Sequence, residues 1–359
     1  MKKNFLFRLS AIAMSLILIA CGGSTSEDVV ETETTAIESE ESLNVVVTTP
    51  MLGEFVKQVA GDSVVLDVLM PAEADPHTYD PSPQDAAKIA DADIVLYVGI
   101  KYETSSLLKL IENTASTNAT LLEIGEEIDP IEFKDGEHDH GNHDDHDEEG
   151  HDDDKDHDHD DEDGHDDHDE EGHEGHEGHD HGSEDPHFWF DPVRVAMAVE
   201  VIKDSLVSLD PANSSTYEAN ADNFISELTD LDAQVKELIE SVSEDNRKIV
   251  TTHESLGYLE ARYGIEVFAT IIPTLSTADE ISPSQIADVI DVIEDNNIKV
   301  LFVESEAPSI YSETVTAEAG ITAVTGLYVE TLKDGQTYSD FLISNVTLIV
   351  ESLNSAGEG

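Results

Sequence analysis

A chain of 359 residues has the length for two domains, and 81 acidic against 17 basic residues give it a formal charge of −64. Nucleic acid is excluded as a partner because phosphate would be repelled, whereas cations would be drawn in. The one cysteine, Cys21, excludes an internal disulfide framework and a thiolate zinc site.

Lys2, Lys3 and Arg8 precede an apolar run at 9–20. This reads as an export signal over 1–20, too short for a comfortable membrane span. The segment Leu18-Ile19-Ala20-Cys21-Gly22 resembles a bacterial lipoprotein processing site. That resemblance implies cleavage before Cys21 and a lipid on its thiol, anchoring an extracytoplasmic protein to the cell membrane. Residues 21–42, rich in Ser, Thr and Glu, then form a flexible tether.

A β-branched run at 43–49 predicts a buried strand, a helix follows over 51–60, and 64–70 is a second strand. The loop 71–83 (PAEADPHTYDPSP) carries four prolines and His77, so it is rigid and non-helical. Ser82 caps the next helix, with Pro83 first and Asp85 third. A third strand at 94–98 and a helix around 107–111 complete an α/β rhythm with a largely parallel sheet.

Residues 137–182 contain only His, Asp, Glu, Gly, one Asn and one Lys. With nothing apolar to bury, this insert is expected to be disordered. It holds thirteen of the sixteen histidines: His138, His140, His143, His146, His151, His157, His159, His165, His168, His173, His176, His179 and His181. Imidazole beside carboxylate suits divalent metals such as zinc, so the insert reads as a low-affinity metal loop. Its alternative is a solvated charge run that binds metals only because histidines do.

The chain resumes at Asp185-Pro186-His187-Phe188-Trp189-Phe190-Asp191-Pro192 and a helix over 193–208. A longer helix, 211–243, has apolar positions at Tyr217, Ala221, Phe224, Leu228, Leu231, Val235, Leu238 and Val242, alternating steps of four and three. It reads as a stiff connector packed along both lobes rather than a coiled coil. Strands at 248–252, 265–271, 299–304 and 321–324 alternate with helices at 283–294, 310–319 and 338–353. The fold class is thus α/β: two Rossmann-like lobes, 43–209 and 245–359, joined by a long helix at 210–244.

Outside the insert only His77, His187 and His253 remain. His77 and His187 share the setting Asp-Pro-His with an aromatic two residues on, and the proline pre-organises the loop. His253 leaves the end of a strand, where open α/β sheets place ligand sites. Three neutral imidazoles suit zinc best and leave room for a fourth donor. Asp75, Asp185 and Glu254 are candidate acceptors for imidazole N–H groups, or else ordinary surface acids.

The order P-x-x-x-D-P-H-x-Y-x-P-S-P, an acidic His-rich insert, D-P-H-x-W-x-D-P, then T-H-E-S-L-x-Y-L-x-x-x-Y-G resembles the metal-binding solute-binding proteins of ABC transporters, most of all the zinc-specific ones. The resemblance spans about 43–353. It implies metal held between the lobes by the three motif histidines, and delivery of Zn2+ to a permease. It also implies a late carboxylate ligand in a segment that Tyr328-Val329-Glu330-Thr331-Leu332 matches, with Glu330 where Asp is more usual. Water, or an acid elsewhere in the chain, could take that place instead. Manganese-specific relatives usually carry a carboxylate where this chain has His253; a manganese binder is the alternative within the family.

Two other classes compete. A zinc hydrolase is disfavoured because His253-Glu254-Ser255-Leu256-Gly257 lacks the second histidine of H-E-x-x-H, and no G-x-S-x-G is present. A surface adhesin or metal buffer, with the folded body as scaffold, would make metal uptake independent of the three histidines.

Overall fold

The computed structural model describes residues 42–72, 74–133, 184–306 and 310–357. The export signal, Cys21, the tether up to residue 41 and the 137–182 insert lie outside the described residues.

Strands β1 (Leu43–Val47), β2 (Val64–Val68), β3 (Ile94–Tyr97) and β4 (Thr120–Glu123) form a parallel sheet in the order β2-β1-β3-β4. Helices α1 (Pro50–Ala60), α2 (Pro83–Ala90) and α3 (Ser105–Thr114) connect them. Each begins on a hydroxyl: Thr49, Ser82 and Thr104 accept from the backbone N–H of Leu52, Asp85 and Leu107. Asp85 also accepts from the Ser82 backbone, so the predicted cap is a full capping box.

Helices α4 (Pro192–Leu209) and α5 (Ser214–Glu240) follow. The long helix starts later than its composition predicts, because Pro211–Asn213 forms a 3-10 turn first. Asp210 ties this turn down, accepting from Asn213 Nδ2 and Tyr217 OH, each at 2.7 Å. The buried stripe of α5 is Tyr217, Ala221, Phe224, Leu228, Leu231, Val235 and Ile239. Strict four–three alternation selects Leu238, which is only half-buried. A straight helix drifts off a 3.5-residue repeat by about 20° per heptad, so by this point a second step of four is due.

Strands β5 (Lys248–His253), β6 (Glu266–Ile272), β7 (Val300–Glu304) and β8 (Thr322–Leu327) make a second parallel sheet, ordered β6-β5-β7-β8. Around it lie α6 (Gly257–Tyr263), α7 (Pro283–Asp295), α8 (Ile310–Ala319) and α9 (Tyr338–Gly357). The two sheets have the same winding, with the order reversing between β1 and β3 and between β5 and β7. Two elements escape pattern reading. Strand β4 is a four-residue edge, and α6 is seven residues opened by a glycine, too short to show a period. Gly257 is there for space: a Cβ would lie 2.5 Å from Asp185 Oδ2.

Helix α5 packs along α1 and α4 and also along α9. The ring of Phe55 on α1 lies 6.3 Å from Phe188, 6.5 Å from Phe224 on α5 and 5.4 Å, edge-on, from Tyr338 on α9. One apolar cluster runs from Val45 and Val47 through Trp189 and α5 to Ile249, Phe302 and Tyr338. Each large side chain buried there contributes about 1.5–3 kcal/mol. The partly exposed ion pair of Arg262 on Asp232 adds of the order of 1 kcal/mol. A shared core, more than charge, holds the lobes. Phe55→Ala should cost about 3–5 kcal/mol in urea unfolding; a loss below about 1 kcal/mol would show that this ring does not join the lobes.

Candidate metal centre

The side chains of His77, His187, His253 and Glu330 converge, with one donor atom of each within 4.8 Å of all the others. Glu330 Oε1 lies 3.4 Å from His77 Nε2, 3.3 Å from His187 Nε2 and 2.7 Å from His253 Nε2. Donors 2.0–2.1 Å from a tetrahedral ion stand about 3.3 Å apart, so the spacing fits a metal of that size. None of these contacts is aligned as a hydrogen bond. The three Nε2 atoms and both Glu330 oxygens are buried without hydrogen-bond partners. Such groups cost about 1–3 kcal/mol each when left unpaired, and more when charged. A cation coordinated by all four residues offsets that cost.

Each donor is delivered by a local device. In both Asp-Pro-His segments the aspartate accepts from the histidine backbone N–H two residues on, Asp75 to His77 at 2.9 Å and Asp185 to His187 at 2.8 Å. This is an Asx turn, with proline setting its middle residue. Asp185 also meets His187 Nδ1 at 2.8 Å, which turns Nε2 toward the centre. Phe188, Trp189 and Phe190, all buried, then lock the turn before α4. His253 ends β5, and Glu304 ends the neighbouring β7 at the point where the strand order reverses. Glu304 contacts His253 Nδ1 and accepts from its backbone N–H at 3.2 Å. Glu330 follows β8. Its carbonyl accepts from Tyr102 OH at 2.9 Å, and the preceding Val329 carbonyl accepts from Trp189 Nε1 at 2.7 Å.

The expected acceptors fare differently. Asp185 holds an imidazole, as anticipated. Asp75 holds the backbone of His77 rather than its ring. Glu254 is not in the cluster: it accepts from Thr270 Oγ1 at 2.9 Å and lines a cavity of about 670 Å3 between β6 and α7. It adjoins His253 at the end of an extended strand, where successive side chains point to opposite faces. Glu304 takes the role instead. An acid closing the all-apolar strand Val300–Glu304, at its carboxyl end, was the signal for it. Tyr102 was also not foreseen; its ring stands edge-on to His77 at 5.3 Å and to His187 at 5.9 Å. The thirteen insert histidines and Cys21 lie outside the described residues.

Two lobes closed on a buried cage of three imidazoles and one carboxylate define an ion-capturing binding protein. The family ZnuA, described as "Zinc-uptake complex component A periplasmic", matches residues 45–352, and the chain belongs to it. It is therefore a metal-binding solute-binding protein of an ABC importer, outside the cytoplasm, and not an enzyme. The manganese-binding lipoprotein MntA of Halalkalibacterium halodurans is 25% identical over 98% of this chain and 99% of its own length. The iron ABC transporter substrate-binding lipoprotein MtsA of Streptococcus pyogenes serotype M1 is 26% identical over the same shares. In fold, the chain resembles the periplasmic zinc-binding protein TroA of Treponema pallidum, with a TM-score of 0.69 and 22% identity over 86% of this chain and 98% of that one. Among the described residues no helix is long and apolar enough to cross a membrane.

Burial alone would lower the pKa of His187, but the Glu330 and Asp185 carboxylates outweigh it and hold it up at about 9. Burial would raise Glu330, yet His187 and His77 hold it well below the usual carboxylate range. His253 stays well above its ordinary value, because Glu304 outweighs burial there too. A group raised from 6.5 to about 9 stabilises the fold fully below pH 6.5 and ceases to as pH rises through 9. An entering cation must displace that proton, so affinity runs the other way. Chelator-stripped protein should lose melting temperature between pH 6.5 and 9 while metal affinity climbs across the same interval. Calorimetry with and without metal reads both trends, and a flat melting temperature would contradict the charge assignment.

Proposed function

We propose that this protein captures Zn2+ outside the membrane through His77, His187, His253 and Glu330 and hands it to an ABC permease. The observation that carries the reading is the donor set: three buried, unpartnered imidazole nitrogens with one carboxylate. Imidazole-rich sites suit zinc, whereas manganese prefers oxygen donors. The description of the matched family points the same way. A lipid on Cys21, left after removal of 1–20, tethers the folded body through 21–42, in keeping with relatives named as lipoproteins. On this reading 43–209 and 245–359 are the two lobes, and 210–244 connects them.

Manganese is the second reading. Relatives named for manganese and iron support it, as does the free second oxygen of Glu330, which could enlarge the coordination shell. Affinity alone does not separate the readings, since zinc outbinds manganese at most nitrogen and oxygen sites. Uptake does. Cells lacking the chain should lose radiolabelled zinc uptake under metal limitation and keep manganese uptake. The reverse loss would make it a manganese importer. Replacing any of the three histidines by Ala, or Glu330 by Gln, should weaken the tight site at least about tenfold, a change of 1.4 kcal/mol. Wild-type affinity in all four variants would remove the ligand assignment.

The insert serves as a collector with several weak, exchangeable sites. Its imidazoles should lose metal as pH falls through about 6.5. The described residues that flank it are held together, since Glu132 and Glu184 form an antiparallel bridge and Asp185 N–H donates to the Ile131 carbonyl at 3.0 Å. Deleting 138–181 should therefore leave the folded site intact. Calorimetric titration should then show about one metal per chain with the tight constant nearly unchanged. Loss of the tight site on deletion would mean that the insert supplies a ligand.

A further inference from the structure

The four donors are not equally well held. His187 and His253 each have a carboxylate on Nδ1, and Glu330 is fixed through the backbone by Tyr102 and Trp189. Among the described residues no carboxylate hydrogen-bonds the His77 ring. His77 also rides on the loop between β2 and α2 rather than on a strand end. Its support is Asp75, which accepts the His77 backbone N–H through Oδ1 at 2.9 Å. The other oxygen of Asp75, Oδ2, accepts from Thr277 Oγ1 at 2.6 Å. Thr277 belongs to the second lobe, 202 residues away in sequence, and is 4% exposed.

The turn bearing Thr277 is itself stiff. Thr274 Oγ1 accepts from Ser276 N–H at 3.3 Å, and Ala278 N–H donates to Ser276 Oγ at 3.2 Å. Glu254 N–H donates to the Thr274 carbonyl at 3.1 Å, fastening the turn to the residue after His253. One carboxylate thus couples the His77 loop to the platform that carries His253. The shared apolar core opposes a wide parting of the lobes, because that would expose Phe55, Trp189 and Tyr338 to water. Exit of the ion is then cheapest by a local movement; the His77 loop is anchored on its own lobe by Tyr79 OH to the Leu69 carbonyl and by Thr104 Oγ1 to the Tyr79 carbonyl, and it meets Thr277 of the second lobe through Asp75.

We propose that the Asp75–Thr277 hydrogen bond is the latch that holds the His77 loop closed across the cleft and sets the rate at which metal leaves. This rests on His77 being a ligand. Asp75 and Thr277 are positioning residues that touch no metal. Docking on a permease would release the ion by drawing Asp75 and Thr277 apart.

The test is stopped-flow release of Zn2+ to a chelator from the mature full chain loaded with one equivalent, following the slow phase. Thr277→Val removes the hydroxyl and keeps the shape. It should speed release about tenfold, the ratio for losing one hydrogen bond to a charged group. Thr277→Ala should do the same, and covers the case in which valine does not fit. Thr277→Ser restores the donor and should return the rate to within about twofold of wild type. A merely structural threonine would show no such rescue. Release from Thr277→Val and Thr277→Ala at the wild-type rate, or from Thr277→Ser as fast as from Thr277→Val, would overturn the latch. His77→Ala separates the two levels. If it abolishes the slow phase while Thr277→Val leaves it unchanged, only the latch fails. If it keeps the slow phase, the ligand assignment fails and the latch with it.

Discussion

Three imidazole nitrogens and a carboxylate face one another in a space closed to water, and none has a hydrogen-bond partner there. That arrangement costs several kilocalories unless a cation, or a set of shared protons, occupies the centre. Much of the surrounding structure serves to maintain it. Asp185 and Glu304 fix two of the rings from behind, so that only Nε2 of each is turned inward. Tyr102 seals the gap between His77 and His187 with its ring and spends its hydroxyl on the Glu330 carbonyl. Tyr102 follows a loop in which Gly99, Ile100 and Lys101 all have positive φ, an uncommon conformation for the last two. Glu103 steadies this loop, accepting from the N–H groups of Val98 and Gly99 and from Thr48 Oγ1. Backbone strain next to the site is thus compensated by a buried, fully bonded carboxylate.

The donors come from both lobes, so their geometry depends on how the lobes are held. A hinged pair of domains would place them loosely. Here α5 and the aromatic cluster around Phe55 merge the inner faces of the two lobes into one core. Non-directional burial supplies most of the holding free energy, and hydrogen bonds such as Trp189 to Val329 set the register. The result is a cage in which His187 and His253 are each backed by a carboxylate on Nδ1 and, among the described residues, the His77 ring is not. A carrier needs both a fixed site and a way out, since affinity comes from pre-organisation and delivery requires release.

The chain reuses one solution in several places. Both sheets wind with the same strand order, and donors or their partners stand at the carboxyl ends of strands in the second. Both Asp-Pro-His segments are Asx turns. The repetition is not complete. Asp185 doubles as a ring partner because Gly257 lets α6 close tightly upon it, whereas Asp75 turns its spare oxygen to Thr277 instead. Two copies of one tripeptide thus present two histidines with different freedom.

By itself the sequence determined the alternation of strands and helices, the cap at Ser82, the long helix and the three histidines that converge. Those are local properties: period, capping chemistry, proline placement and the exclusion of thirteen histidines into a segment with nothing to bury. It did not reveal Glu304 as the partner of His253, the displacement of Glu254 to the opposite face, the roles of Tyr102 and Thr277, or the step from Val235 to Ile239. Each of these depends on where another part of the chain lies. Glu304 reaches His253 because β7 pairs with β5, and Asp75 reaches Thr277 only because a shared core brings the lobes together. Residue patterns encode what a segment does alone. Which side chains meet across hundreds of residues is settled by packing, where burial selects one closed arrangement from many that satisfy the same local rules.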